Sequence, residues 1–454
     1  SSTLLHAGQA QQGRQVTNRC GLVTPLCQNG NMTSHLDPTA LQTLGQHFSS
    51  TKKTLTKYID LPSGQYISTL PKPPSKGDED LGAWWLAYLH GENLPAPKIQ
   101  RGELKVAELF SGPGGLAQGV KQACRELGYT FNSQVAVDTD LGSTDVYKLN
   151  HGTKFTTGES IADLLDYHVE GQGDQTVFTS PPKILDDEFR KATKGIDLLL
   201  AGPPCQGHSN LNNHTRRDDE RNELYLTVPA LAIAANIPGI IIENVPEVIH
   251  DRAGVVEKTK QLLLNAGYHI DFGVLKADRL GWPQTRKRYF LIARKGIPPV
   301  SLSDIANAFQ APAKSAIWAI EDLADHEVDD FMNRQPNASV DTKRRIKWLF
   351  DNNKDDLVLS ERPDCHKNGT TYTSCYGRMY LDKPAPTLTT GFMTPGRGRF
   401  VHPTRRRVLT PREAARIQGF PDSYLWKQPG DPRPPIQAIA KWIGDAVPMP
   451  LGHL

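Results

Sequence analysis

LKVAELFSGPGG (residues 104–115) is an apolar run of strand length that breaks into a glycine-rich turn, and residues 116–127 continue from it at helical spacing. Strand, turn and helix in that order open a doubly wound α/β unit: the glycines let the chain turn tightly and bring backbone amides at the helix start close to a ligand. The alternation persists outward. Further strand-length apolar runs fall at residues 134–137, 196–200, 239–242, 272–275 and 289–293, with helical segments at 116–127, 224–235 and 255–266 between them. This pattern predicts a doubly wound α/β sheet whose ligands sit beyond the carboxyl ends of the strands.

On either side of that region the pattern changes. Residues 1–100 are rich in Gln, Ser, Thr and Gly and read as an accessory region of unassigned role, with a Pro/Lys linker at 70–76. Within it, residues 41–59 carry two short helical patterns around Ser49 and Ser50, which predict a helical hairpin, with a helix-turn-helix as the alternative. Residues 82–89 predict a helix packed on the main domain. Residues 101–296 are expected to form the main α/β domain with the ligand cleft, 297–385 a smaller module that breaks the alternation, and 386–454 a closing segment.

With 454 residues, 38% hydrophobic and 22% charged, the chain is large enough for several domains and too apolar for wholesale disorder. No apolar run approaches the length that crosses a bilayer, and residues 1–30 lack a signal-peptide core, so membrane and secretory roles are not expected. The chain opens on Ser1 without an initiator Met, so processing is expected. Six scattered cysteines without a CxxC pair point to a reducing compartment, with neither a disulfide framework nor a zinc site. The net charge of +3 hides a split. Residues 332–454 hold 20 Lys and Arg against 11 Asp and Glu, a surplus of nine, while the rest of the chain has a deficit of six. A basic C-terminal quarter suits a polyanionic partner as well as a solvated surface.

Three strand ends carry the chemistry. The second strand of the unit ends at Asp138, 26 residues after Gly112, where a carboxylate accepts hydrogen bonds from ribose hydroxyls. DLLLAGPPCQ (197–206) delivers Cys205 to a turn at a strand end, the expected place for a nucleophile, and two prolines argue against a core position for it. The next strand ends in Glu243-Asn244-Val245. Adjacent strand ends bring a thiol and a carboxyl group into one cleft.

At this point the chain resembles the DNA (cytosine-5) methyltransferases of bacterial restriction-modification type, over roughly residues 104–454. ELFSGPGG (108–115) resembles the family's S-adenosylmethionine loop, GPPCQ (202–206) its nucleophile motif, IENV (242–245) its glutamate motif and QTRKR (284–288) its paired-arginine motif. RVLTPREAARIQGFPDSY (407–424) and IGDAVPMPLG (443–452) resemble the closing motifs. The resemblance implies a class I S-adenosylmethionine-dependent methyltransferase fold, Rossmann-like, with a target-recognition lobe at 297–385. It implies a thiolate of Cys205 adding to C6 of a flipped-out cytosine, with Gln206 beside it, Glu243 holding the base, and Arg286 and Arg288 contacting base and phosphates. For the cofactor it implies Phe110, Gly112, Gly114, Gly115, Asp138, Glu159, Pro204, Leu224 and Val447. For DNA, the polar stretch 206–221 resembles the family's mobile loop, with Arg216 and Arg217 meeting phosphates, and Arg378 and Thr389 are candidate groove contacts. No metal is implied.

Three positions depart from the family pattern. Glu108 replaces an Asp, Thr139 a larger adenine-covering residue, and Asp445 the closing motif's Asn; Lys441, one helical turn before Asp445, is its expected counter-charge. The implied setting is a monomer acting on double-stranded DNA in the bacterial cytoplasm, nucleoid-associated, beside a cognate restriction endonuclease reading the same site. Two rival readings are a tRNA cytosine methyltransferase of the same fold, although its Cys-Phe-Thr signature is missing, and a DNA-binding regulatory protein using the N-terminal helix-turn-helix.

Overall fold

A computed structural model describes residues 44–72, 80–92, 99–204, 220–324, 330–335, 337–367 and 374–454. Among them the chain first forms a three-stranded antiparallel sheet, β1 (Gly45–Ser50), β2 (Thr54–Leu61) and β3 (Gly64–Pro71), then α1 (Asp80–Leu89). The main domain follows as β4 (Gly102–Leu109), α2 (Gly115–Leu127), β5 (Tyr129–Val137), α3 (Leu141–His151), β6 (Phe155–Thr157), β7 (Leu198–Ala201), α4 (Thr227–Ala234), β8 (Gly239–Asn244), α5 (Val255–Asn265), β9 (Tyr268–Lys276) and β10 (Lys287–Lys295). Downstream lie α6 (Leu302–Ala308), α7 (Ala316–Ile320), α8 (Val340–Asp351), α9 (Pro411–Gln418), α10 (Ile436–Asp445) and α11 (Met449–His453). None of the helices among the described residues is long and apolar enough to cross a membrane.

The main sheet has seven strands in the order β9-β10-β8-β7-β4-β5-β6; β10 runs antiparallel to both neighbours and β4 to β8 are mutually parallel. This is the class I S-adenosylmethionine-dependent methyltransferase fold. Alternate residues of the central strands enter opposite layers: Val106 and Leu200 pack with α2, α1 and the C-terminal helices, Ala107, Leu109, Leu199 and Ala201 with α4 and α5. The parallel register sets Thr157, Val137, Leu109, Ala201 and Ile242 in one row across five strands. The next residue of each strand therefore emerges along a single line at the carboxyl edge of the sheet.

Residues 41–59 correct the sequence reading. No helical hairpin or helix-turn-helix forms over the described part of that stretch; it builds β1, a tight turn closed by Thr51 and Thr54, and β2. The deciding periodicity is two rather than 3.6, since Leu55, Lys57 and Ile59 are buried while their neighbours are not, with Leu55 in the core shared with α1 and α2 and Lys57 against Glu126 of α2. A lysine in the middle of that inward row disguised it. The regulatory reading built on the helix-turn-helix falls with it, while the helix expected at 82–89 forms as α1, with Trp84 and Leu89 fully buried.

Beyond the main core, Ile346, Leu349, Leu357, Val401 and Val408 make a separate small core, whereas α7 packs into the large one through Ala316, Ala319 and Ile320.

Candidate active site

The row at the sheet edge places Phe110, Asp138, Gly158, Gly202 and Glu243 side by side, the first four just past their strands and Glu243 next to last in β8. Phe110 is held at φ 56°, in the left-handed region that costs a non-glycine residue of order 1–3 kcal/mol, which is typical of backbone over-determined at a functional loop. Gly112 and Gly114 continue the turn at φ 50° and 90°, and a side chain on Gly114 would collide with His151 and Tyr147. One Asp138 oxygen accepts the Gly112 amide at 2.8 Å and the other the Asp140 amide at 2.9 Å, so this carboxylate first of all shapes the glycine loop. Its remaining lone pairs stay available to hydroxyls.

The loop suits a polar ligand. Glu108 Oε2 and Ser111 Oγ are buried without hydrogen-bond partners, and the space in front of Gly112 is open. Unsatisfied buried polar atoms next to an open glycine turn and a helix N-terminus are what the amino, carboxylate and hydroxyl groups of S-adenosylmethionine would engage. Gly115 closes on the Val447 carbonyl, which brings the closing segment against the same turn. Exposed Glu159 stands past β6, Pro204 follows β7, and Leu224 lies partly buried in the 3-10 turn Glu220–Leu226.

Glu243 sits 6% exposed at the end of β8. Burial raises its pKa, and the charges of Arg288 and Arg286 pull it partly back. Arg288 Nε holds its Oε1 at 2.7 Å. Its Oε2 lies 3.7 Å from where a methyl group on Gly202 would lie, and the Phe110 carbonyl 3.9 Å from the same point. The carboxyl group, the glycine loop and the Gly202-Pro203-Pro204 turn thus meet at one point. Cys205, Gln206, Arg216 and Arg217 lie outside the described residues.

Arg286 is placed differently from its neighbour. It is 3% exposed and donates to Leu388 O at 2.7 Å and Gly444 O at 3.2 Å, joining the segment around Thr389 to the closing motif. Arg378 donates to Asp355 at 2.9 Å and stacks over Phe350. Asp445 pairs with Lys441 at 3.2 Å, the partner its spacing predicts, and Lys441 also reaches Asp140 at 3.4 Å. Burial works against that ammonium, yet Asp445 and Asp140 hold its pKa above the usual range.

Some contributors went unassigned at the level of sequence. Asn244 donates to Pro203 O at 3.2 Å and caps the Val245 amide at 2.8 Å, tying the glutamate strand to the proline turn that precedes Cys205. Tyr424 donates to Pro113 O and meets His151 at 3.2 Å behind the glycine loop. Gln418, which accepts from Gln284 at 2.9 Å, donates to the Ile443 and Ala446 carbonyls. Asn244, Gln418 and Tyr424 all stand inside the quoted motifs, so the signal was present, but only their contacts give them a task.

Residues 104–453 match the family model described as C-5 cytosine-specific DNA methylase. The chain belongs to that family. As an enzyme it is a DNA (cytosine-5-)-methyltransferase, and S-adenosylmethionine is the methyl donor of this fold. It is 41% identical over 369 residues to type II methyltransferase M1.BsuMI of Bacillus subtilis, covering 81% of this chain and 83% of that protein. Type II methylase M.HgiDII of Herpetosiphon aurantiacus is 29% identical over 366 residues, covering 77% and 93%. Among solved structures, the S. pombe Dnmt2 methyltransferase shares the fold with a TM-score of 0.50 at 18% identity, covering 77% of this chain and 96% of that chain.

Proposed function

We propose that the enzyme methylates C5 of a cytosine flipped out of a specific duplex DNA sequence, through a covalent bond between Cys205 and C6, as the modifying partner in a restriction-modification pair. The observation that carries this reading is the meeting of Glu243 Oε2, the Phe110 loop and the turn leading to Cys205 at one point of the sheet edge. S-adenosylmethionine supplies an electrophilic methyl group on its sulfonium. Cys205 as a thiolate forms the S–C6 bond, and the electron pair of the C5–C6 double bond becomes available at C5, which takes the methyl group as its bond to the sulfonium sulfur breaks and leaves the neutral thioether. The C5 proton then leaves to a base or water, the S–C6 bond breaks and the double bond returns.

Glu243 serves this sequence at N3 and the exocyclic amine. With Oε1 fixed by Arg288, Oε2 is the atom left to meet the base, and burial, by raising the pKa of the carboxyl group, favours its sharing a proton with N3. Arg286 holds the Leu388 and Gly444 carbonyls together, which sets the Thr389 region against the cofactor side. The base must leave the stack because both ring faces are covered in a duplex. Arg216 and Arg217, with Thr389, meet the DNA.

The test is covalent capture. With S-adenosylmethionine present, duplex DNA carrying 5-fluorocytosine at the target should give a denaturation-resistant adduct, since fluorine cannot leave C5 as a proton. Cys205→Ala should abolish it; an adduct of undiminished yield in that variant removes Cys205 from the mechanism.

A further inference from the structure

Lys57, on β2 of the accessory sheet, has a side chain with no exposed surface, a rare position for an ammonium group unless it is paired. Its Nζ lies 2.8 Å from Glu126 Oε2 and over the rings of Trp84 and Trp85. Glu126, near the end of α2 and 2% exposed, also accepts from His453 Nε2 at 2.9 Å, Gln122 at 3.0 Å and Trp84 at 3.2 Å. One buried carboxylate therefore joins the accessory sheet, α1, α2 and the last helix. Along α2, Gly119 lets the Met449 carbonyl approach, and the Leu116 carbonyl would lie 2.8 Å from a side chain on Gly452. The same seating of α11 on α2 puts the Val447 carbonyl on Gly115 at the glycine turn.

We infer that Lys57 is a positioning residue for the cofactor site: through Glu126 and His453 it fixes α11 on α2, and so fixes Val447 at the turn. On this reading the accessory sheet braces the methyl-donor pocket from behind and takes no part in choosing the DNA sequence. A buried charge network with four donors has one well-defined arrangement, and removing a donor leaves the carboxylate to find another. The inference rests on Val447 being part of the cofactor pocket.

The experiment is calorimetric titration of the full chain with S-adenosylhomocysteine, alongside thermal denaturation and bisulfite mapping of methylated sites. Lys57→Met and His453→Leu should each weaken binding about fivefold or more, the lower range of a site-to-site coupling. His453→Gln, which keeps a donor, should bind close to the parent, and the methylated sequence should not change in any variant. Val447→Ala is the control on the pocket itself: unchanged affinity there would overturn the pocket assignment. If Val447→Ala weakens binding while Lys57→Met and His453→Leu lower only the melting temperature, the network is structural and the positioning role is wrong. Should Lys57→Met fail to fold, His453→Leu at the last turn decides alone.

Discussion

Glu108 holds a carboxyl group where charge is costly. It is 2% exposed on the α2 side of β4; desolvation is the main effect, a hydrogen bond with Tyr147 offsets part of it, and the nearby Asp138 charge adds to it. Its pKa is pushed up from 4.5 to about 8. The native state therefore binds this proton more tightly than the unfolded chain. Its contribution to stability is full below pH 4.5 and is lost as the pH rises toward 8. Glu108→Gln copies the protonated form and does not titrate. Measured without cofactor, the melting temperature of the variant relative to the parent should rise between pH 5 and 8.5, by about 2 °C or more. An offset equal at both pH values would show that Glu108 is already charged. None of this was legible in the sequence, where Glu108 stood out only as a departure from an Asp, because its environment comes from residues far along the chain. Asp138 and Glu243 were legible, because residues at the end of a parallel strand must emerge at the carboxyl edge.

Helices and strands of the main domain were readable because period and length agreed: α2 and α5 start within one residue of the expected segments, and all six expected strands form. The accessory sheet was not. In TLTKYIDL the inward row is Leu55, Lys57 and Ile59, and a cation in that row hides a period of two unless its partner, Glu126 on another element, is known. The packing of α11 on α2 was equally hidden, since two facing glycines in distant segments carry no local signal. It has a direct consequence. A methyl group on Gly119 would meet the Met449 and Gly452 backbones, which cannot move aside without unseating α11. Gly119→Ala should therefore cost about 1–3 kcal/mol, the usual range for overpacking, despite the better helix propensity of Ala. Denaturant unfolding checks this, and a variant as stable as the parent would mean that α11 is free to shift.

Across the whole molecule, residues 332–454 carry 20 Lys and Arg, and not all of these face outward to a polyanion. Arg378 pairs with Asp355, Arg399 with Asp356, Arg407 with Glu413 and Arg416 with both Asp322 and Asp422, so these guanidinium groups hold the C-terminal part together. Sequence composition locates the basic region, but it cannot separate a structural arginine from one that faces phosphate. The cores do separate the lobes. The small one is built from Ile346, Leu349, Leu357, Val401 and Val408, while α6, α7 and the stretch carrying Met379, Ala385, Leu388, Phe392 and Phe400 lie with the main domain, α6 against β9 and the others in the large core. Surface loops on a separately packed core are free to vary without disturbing the sheet, which is the requirement for a recognition element. Recognition should therefore travel with residues 337–378, which precede the large-core positions Met379, Ala385 and Leu388. Replacing that segment with the corresponding one of a related enzyme should change the methylated sequence and leave the 5-fluorocytosine adduct intact, whereas replacing residues 297–335 should leave the sequence unchanged. Bisulfite sequencing reads both chimeras. If the second exchange moves the site and the first does not, recognition lies on the helices of the main core and the small lobe serves another purpose.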